Sequence, residues 1–353
     1  MLPRRGWHSP AAARALGLLL AVALLAAAPA SGDDVGDGGE ILIPTPKQDP
    51  YSAIRDPVIR EMLALDAIAP FEDLAPLWDW ADPELQAQVD AALARLGLDD
   101  DARRKRLALA LVDVSDPQKP RVASVNGDKM MYAASLPKIA VLLGAFEKIA
   151  QHKMEFSDEN RALMEQMIRR SNNRSTTELM HRVGKKYIAR VLLSPRYRLY
   201  DPARNGGLWV GKDYAKSGLW KRDPLHNLSH GATAIQVARF YYLLWTDNLV
   251  TPDYSRKMKE VMSGEHLNHK FVKALSQLSS PVRVFRKSGS WRTYHSDSAL
   301  VQRGRHAYIA VALSDDPNGS HWMGEIITAL DSIVTGAKAA ATALDPAPGS
   351  AAR

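Results

Sequence analysis

The sequence predicts an α+β protein, because strand-like runs near both ends of the folded region flank a long helical block. Residues 107–114 and 121–125 are rich in apolar residues and read as strands, and helix-like runs then extend to about residue 263. Strand-like runs return between residues 282 and 313, and the first of them, at 282–285, alternates along the chain. Strands and helices that are segregated along the chain are typical of α+β folds.

The first predicted element is a helix that begins at Pro83. Asp82 is a favourable N-cap residue, and proline is tolerated in the first helical turn. A Ser-Asp-Pro turn at residues 115–117 joins the two strands that follow the helix. The apolar face of the helix is predicted to consist of Val89, Ala92, Leu93 and Leu96.

The helical block begins with an apolar run at residues 139–146, which reads as a buried helix. A stretch rich in Gly, Pro and Asp at residues 195–229 interrupts the block and is predicted to be mostly loop. The second helix carries Leu163, Met164, Met167 and Ile168 on one face. Further helices are expected at residues 236–249, 254–262 and 322–337, and strands at 282–285, 298–301 and 308–313.

The first 30 residues have the pattern of a secretory signal peptide. Arg4 and Arg5 precede an apolar run at residues 16–28, and Ala28-Pro29-Ala30 matches an A-x-A cleavage site. We therefore expect cleavage after Ala30, a periplasmic or secreted protein, and no stable membrane span after cleavage. Residues 31–82 are predicted to be a partly disordered extension, residues 83–340 the folded domain, and residues 341–353 a disordered tail.

Composition and charge exclude several classes of function. The formal net charge is +7, and removal of Arg4, Arg5 and Arg14 with the signal peptide would lower it to +4. This excess is spread without a basic tract, so a nucleic-acid partner is not predicted. The chain has no cysteine, which excludes disulfides, thiolate metal sites and a cysteine nucleophile.

Two histidines, His226 and His230, have a four-residue spacing that can bind a metal on a helix. Pro224, Asn227 and Gly231 favour a turn at this position instead, and no third ligand is evident. The sequence therefore predicts no metal site and no cofactor.

Ser135 and Lys138 form the only Ser-x-x-Lys spacing in the chain. Such a spacing occurs by chance about once in a chain of this length, so alone it also fits a serine that only caps a helix. Residues three apart on a helix share a face, so Lys138 would lie beside Ser135. A serine hydroxyl is a poor nucleophile until a base removes its proton, and a lysine amine can be that base. The apolar run that follows places Ser135 at a predicted helix start, where free N–H groups favour negative charge.

Ser-x-Asn occurs twice, at residues 124–126 and 171–173. The first copy precedes Ser135 and lies in a Val-Asn-Gly-Asp turn, so we favour the second, which ends the amphipathic helix. Lys-Ser-Gly also occurs twice. Residues 216–218 lie in the loop-rich stretch, whereas Lys287, Ser288 and Gly289 follow a predicted strand, and we favour the later copy.

Taken in order, these three motifs resemble the S-x-x-K, S-D-N and K-T-G trio of class A β-lactamases and penicillin-binding proteins. The resemblance covers about residues 83 to 340. It implies a β-lactamase/transpeptidase-like fold, with an antiparallel sheet flanked by helices and an all-α lobe at about residues 135–263.

The resemblance also implies roles for the motif residues. Ser135 would be the nucleophile, Lys138 its base and Ser171 a proton relay, with burial beside the cation of Lys287 lowering the pKa of Lys138. The backbone N–H groups of Ser135 and Ser290 would stabilise the oxyanion. The residues that would hold the substrate are Asn173, for its amide, and Lys287, Ser288 and Gly289 with the backbone of their strand.

Two departures from the class A pattern affect the expected activity. Class A enzymes activate the deacylating water with a glutamate on the loop after the second motif, but residues 200–223 contain only Asp201, Asp213 and Asp223 as acids. The 36-residue step from Ser135 to Ser171 is also shorter than expected. Both departures favour slow deacylation or a substrate other than a β-lactam.

The sequence thus predicts an exported, monomeric serine hydrolase that acts on a small molecule or a peptidoglycan peptide. β-Lactam hydrolysis through an acyl-enzyme competes with D-alanyl-D-alanine carboxypeptidase or transpeptidase activity. A catalytically inactive cell-wall binding module is the alternative from another class. Five residues after the third motif would line the site or simply join two strands, namely Trp291, Arg292, Tyr294, His295 and Asp297.

Overall fold

A computed structural model describes residues 54–64, 76–214, 218, 220–264 and 267–337. The predicted signal peptide, the predicted tail and much of the predicted extension lie outside these residues, as do Lys216 and Ser217 of the rejected Lys-Ser-Gly copy. Within the described residues, no helix is both long and apolar enough to cross a membrane.

The elements are labelled in chain order, helices and strands separately. The helices are α1 (Pro57–Ala64), α2 (Pro83–Arg95), α3 (Asp99–Arg103), α4 (Lys138–Ala150), α5 (Asp158–Arg169), α6 (Asn173–Val183), α7 (Lys185–Leu193), α8 (Ala234–Trp245), α9 (Pro252–Met262), α10 (Phe271–Leu275) and α11 (Gly319–Thr335). The strands are β1 (Leu107–Asp113), β2 (Arg121–Val125), β3 (Met131–Tyr132), β4 (Tyr200–Asp201), β5 (Gly206–Gly207), β6 (Trp209–Val210), β7 (His230–Ala232), β8 (Arg283–Trp291), β9 (Tyr294–Arg303) and β10 (His306–Asp315).

The central sheet is antiparallel and has the strand order β2-β1-β10-β9-β8. Strands from both ends of the folded region therefore meet, with β1 paired to β10, so the α+β class is confirmed. β8 pairs with β9 on one side only and is an edge strand of this sheet. The sequence predicted that the third motif follows the strand. The structure places it within β8, because pairing with β9 extends β8 to Trp291.

The sheet separates two hydrophobic cores, because side chains of a strand alternate between its faces. Leu107, Leu109 and Leu111 of β1 pack with α2 and α11 on one face. Ala108 and Val112 face the larger core, which the helical lobe fills. This alternation explains why β1 reads as a continuous apolar run, since both of its faces are covered.

The helical lobe is built around two helices that are apolar on nearly all sides, α4 and α8. A helix of this kind must lie in a core, because it has no polar face to present to water. The side chain of Thr233 caps α8 by accepting from the Gln236 N–H, so the helix begins two residues earlier than predicted. The lobe also contains the short strands β4 to β7, which the sequence did not predict, and β7 pairs with β3 before the lobe.

Candidate active site

Ser135 lies in a turn directly before α4. The Ser135 carbonyl accepts from the Lys138 N–H at 3.3 Å, and the Ala133 carbonyl accepts from the Leu136 N–H at 3.0 Å. The regular helix begins at Lys138, so the prediction that Ser135 starts the helix was wrong by three residues. Ala134 has a φ of 50°, a conformation that is strained for a residue with a side chain. The serine thus follows a strained residue at a tight bend.

The Lys138 side chain is fully buried and points at the second motif. Its Nζ donates to the Ser171 carbonyl at 2.7 Å and to Asn173 Oδ1 at 2.8 Å, and lies 3.4 Å from Ser171 Oγ. Burial lowers the pKa of Lys138 to about 7, because a desolvated ammonium is disfavoured. A lysine in this state is partly neutral near neutral pH and is able to accept a proton.

Ser171 joins the second motif to the third. It lies between α5 and α6, and its φ of 55° turns the chain sharply. Lys287 Nζ donates to Ser171 Oγ at 3.0 Å and to the Ser288 carbonyl at 2.6 Å. Burial, and next the ammonium of Lys138, holds the pKa of Lys287 well below its ordinary value. Two buried amines therefore converge on one hydroxyl.

Gly289 brings β8 against the backbone of the Ser135 turn. A Cβ at this position would lie 2.4 Å from the Ala133 carbonyl oxygen and 2.7 Å from the Ser135 nitrogen. The Ser296 hydroxyl, on β9, donates to the same Ala133 carbonyl at 2.9 Å. The close approach requires a residue without a side chain. It places Ser290, the next residue of β8, beside the turn.

Tyr214, which no sequence motif marked, covers Lys138. The Lys138 Nζ lies 4.5 Å from the centre of the Tyr214 ring, a distance at which a cation is attracted to an aromatic face. The Tyr214 hydroxyl donates to the Ala134 carbonyl at 3.2 Å, and its ring lies 4.2 Å from the ring of His230. Tyr214 lies in the loop-rich stretch, where no periodicity marks it as a site residue.

The acidic residues of the loop-rich stretch are bound elsewhere. Asp201 pairs with Arg198 at 2.7 Å and caps a short 3-10 helix. Asp213 pairs with Lys185 at 2.8 Å. Asp223 accepts from the Tyr200 hydroxyl and from the His226 N–H. Among the residues that the structure describes, no carboxylate forms an ion pair with Lys138.

The rejected candidates have other contacts. Asn126 donates to the Ala102 and Leu107 carbonyls at 2.7 and 2.8 Å and so supports the chain before β1. His226 Nε2 lies 3.1 Å from the Asn205 carbonyl, and His230 Nε2 lies 3.0 Å from the Lys212 carbonyl. The two histidine rings thus contact different parts of the loop.

A buried ion pair lies behind the third motif. Arg286 donates to both carboxylate oxygens of Asp297, at 2.8 and 2.6 Å, and both side chains are nearly fully buried. The remaining Arg286 hydrogen bonds go to the Leu267 and His269 carbonyls at 3.1 and 3.2 Å. The sequence left open whether Asp297 lines the site or joins two strands. In the structure, this ion pair attaches residues 267–271 to β8 and β9.

Comparison with known proteins identifies the family. The sequence matches the model of the β-lactamase enzyme family over residues 158–337, which includes the second and third motifs. The chain belongs to this family of serine hydrolases. No curated protein matches the sequence.

Solved structures support the fold of this family member. The β-lactamase from Sphaerobacter thermophilus DSM 20745 is 15% identical with a TM-score of 0.53, and the match covers 69% of this chain and 95% of that one. A class A β-lactamase from Bacteroides cellulosilyticus DSM 14838 is 15% identical, with a TM-score of 0.52 and 71% and 97% coverage. An acyl-enzyme complex of a PBP-A variant with penicillin G is 16% identical, with a TM-score of 0.53 and 73% and 97% coverage.

The close packing at Gly289 yields a first prediction. Gly289→Ala should abolish reaction at Ser135 and destabilise the protein, because its methyl group would overlap backbone atoms of residues 133 and 135. Gly324→Ala is the matched control, since a Cβ there meets only Ala274 Cβ at 4.0 Å and alanine favours a helix by about 0.5–1 kcal/mol. Urea unfolding and labelling by a fluorescent penicillin measure the two effects. Wild-type labelling of Gly289→Ala would contradict the prediction.

Proposed function

We propose that the protein is an exported active-site-serine hydrolase that forms an acyl-enzyme at Ser135 with a β-lactam or a related amide or ester, and that it releases the acyl group slowly. The observation that carries this proposal is the buried Lys138 amine. It lies one turn after Ser135 and contacts Ser171 and Asn173, with its pKa lowered to about 7.

In the first step, a neutral Lys138 accepts the proton of the Ser135 hydroxyl while Oγ bonds to the substrate carbonyl carbon. The carbonyl oxygen becomes an oxyanion, and the N–H groups of Ser135 and Ser290 donate to it. The approach of Gly289 to the Ser135 nitrogen supports this pairing of donors.

In the second step, the tetrahedral intermediate collapses and the carbon–nitrogen bond breaks. The leaving nitrogen needs a proton, which Ser171 donates while it takes one from Lys138. Lys138 thereby returns to its neutral form. The contact of Ser171 Oγ with Lys287 supports this relay, because that amine donates to the oxygen and leaves the hydroxyl proton free to move.

The substrate binds along β8. Lys287 and Ser288 hold its carboxylate, and Asn173 hydrogen-bonds its amide. The position of β8 at the edge of the sheet supports backbone pairing with an extended substrate, as in strand addition. Such pairing accommodates both a β-lactam and a peptide.

Slow release of the acyl group follows from the residues that surround Lys138. The sequence contains no glutamate between Glu178 and Glu260. The three aspartates of the loop-rich stretch are bound to other groups, and the Tyr214 ring lies against Lys138. A water that attacks the ester therefore lacks a carboxylate base in this loop.

The second candidate is a D-alanyl-D-alanine carboxypeptidase or transpeptidase. The missing glutamate favours it, because a penicillin-binding protein need not hydrolyse its acyl-enzyme with β-lactams rapidly. Release of D-alanine from a peptide that ends in D-alanyl-D-alanine distinguishes this activity from β-lactam hydrolysis. In either case the substrate is a small molecule or a peptidoglycan peptide.

Export rests on the first 30 residues. Basic residues, an apolar run and Ala28-Pro29-Ala30 support a signal peptide that is cleaved after Ala30 and a periplasmic or secreted location. N-terminal sequencing of the protein recovered outside the cytoplasm should begin at Ser31. A retained Met1 or an internal location contradicts this part of the proposal.

Labelling by a fluorescent penicillin tests the acyl-enzyme. Wild-type protein should give a band that survives denaturation and persists after free penicillin is removed, and Ser135→Ala should give none. Ser124→Ala, in the rejected Ser-x-Asn copy, is the matched control and should label normally. Rapid turnover of a chromogenic cephalosporin without a band would contradict slow release. No labelling and no turnover would favour an inactive binding module.

The pH dependence tests the base. The pKa of Lys138 lies near 7, so the neutral fraction increases as pH rises through 7, and the acylation rate should rise with it. Lys138→Met should lose about 10²–10⁴-fold in acylation rate, the usual contribution of a positioned base. Lys148→Met is the control, since the Lys148 Nζ also donates to a backbone carbonyl, that of Arg182 at 3.1 Å, but outside the site. A wild-type rate that does not change between about pH 6 and about pH 8, roughly one unit on either side of that pKa, would rule out Lys138 as the base.

A further inference from the structure

Lys270 is a buried lysine that belongs to none of the three motifs. Its side chain is nearly fully buried, and its Nζ donates to the Gly289 carbonyl at 2.6 Å, to Ser290 Oγ at 2.8 Å and to the Ser296 carbonyl at 3.0 Å. Its backbone has a φ of 53° and a ψ of −123°, which is unfavourable for a residue with a side chain. Strain of this kind persists only where the surrounding structure maintains it.

The Gly289 carbonyl and the Ser290 N–H belong to the same peptide group. Resonance in a peptide bond couples its oxygen to its nitrogen, so a cation at the oxygen draws electron density away from the N–H. An N–H polarised in this way is a stronger donor, as in cooperative chains of hydrogen bonds. The ammonium of Lys270 acts at one end of this group, and the proposed oxyanion site lies at the other.

A purely structural role for Lys270 is less favoured, because other hydrogen bonds already hold its segment. Arg286 donates to the Leu267 and His269 carbonyls. The Phe271 N–H donates to Asp297 Oδ2 at 3.1 Å. Residues 267–271 are therefore attached to β8 and β9 on both sides of Lys270, and its ammonium is available to polarise the strand.

We propose that Lys270 is a positioning residue of the oxyanion site, in which its ammonium strengthens the Ser290 N–H as a donor by binding the Gly289 carbonyl. This inference rests on the proposed acyl-enzyme at Ser135. It assigns a function to a lysine that does not contact the substrate and lies 17 positions before Lys287.

Titration of Lys270 supplies an internal test. Burial, and to a smaller extent Arg286, lowers its pKa to about 8, while Asp297 opposes this shift. The other titratable groups around it are Lys287 on β8, His295 on β9 and His269 in its own segment. The polarising charge is present below about pH 8 and is lost as pH rises above it.

The experiment uses the slow acyl-enzyme of the full-length protein with a penicillin that carries ¹³C at the β-lactam carbonyl. Lys270→Met should lower the saturating acylation rate constant about tenfold, with the initial binding constant unchanged. The loss of a whole oxyanion donor costs about 10²–10³-fold, and here the donor is only weakened. Infrared difference spectra should show the ester carbonyl band of Lys270→Met at higher wavenumber than in wild type, because its hydrogen bonds are weaker.

Lys270→Arg restores the test if Lys270→Met does not fold. This variant keeps a cation and should retain the wild-type carbonyl band. In wild type, the band should move to higher wavenumber as pH passes about 8, whereas in Lys270→Arg it should stay in place, because a guanidinium does not titrate there. Lys148→Met is the matched control for loss of a lysine that binds a backbone carbonyl, and it should behave as wild type.

The outcomes separate this inference from the function on which it rests. A wild-type protein without a penicillin adduct overturns both. An adduct that forms at the same rate and has the same carbonyl band in wild type and Lys270→Met overturns the role of Lys270 alone. A carbonyl band in wild type that does not change across pH 8 has the same meaning.

Discussion

The contact of two buried lysine amines with the hydroxyl of Ser171 connects the two halves of the site. Lys138 belongs to the helical lobe and Lys287 to the edge of the sheet, and Ser171 lies between them. Neither amine has an ion-pair partner among the described residues, so carbonyl, amide and hydroxyl oxygens bind them. Burial of charge without a counterion shifts the equilibrium toward the neutral amine. The proposed chemistry of the site depends on this lack of counterions for the two lysines.

The backbone around this contact is strained in several places. Ala134, Ser171 and Lys270 all have positive φ values, and each lies directly beside or within the site. Conformations of this kind cost of order 1–3 kcal/mol each and are stored where a function requires them. The large apolar cores on both sides of the sheet supply the stability that maintains them.

Much of the architecture could be predicted from the sequence, because the signals were local. The strand-like runs of β9 and β10 and the apolar run of α4 are properties of neighbouring residues, and the structure confirms all three elements. Element ends were less predictable. The extent of β8 depends on pairing with β9, and the start of α4 depends on the turn at Ser135, so neither boundary is set by local propensity.

The candidate site was predictable only where a motif marked it. The side chains of Lys138 and Lys287 meet at Ser171 although they are far apart in the chain, and Gly289 lies against the backbone of Ser135. Tyr214 and Lys270 carry no motif, and their importance arises from contacts with residues about 80 and 20 positions away. No pattern of spacing within a loop reveals a contact of that kind.

The composition of β8 has a consequence for the behaviour of the protein at high concentration. An uncovered strand offers free backbone groups to which a neighbouring molecule can attach, and this is how many proteins begin to aggregate. Arg283 places an exposed positive charge at one end of this strand, whereas Arg286 is paired with Asp297 and Lys287 is buried. A charged side chain at an exposed edge hinders pairing with the strand of a second copy, so Arg283 protects this edge against self-association.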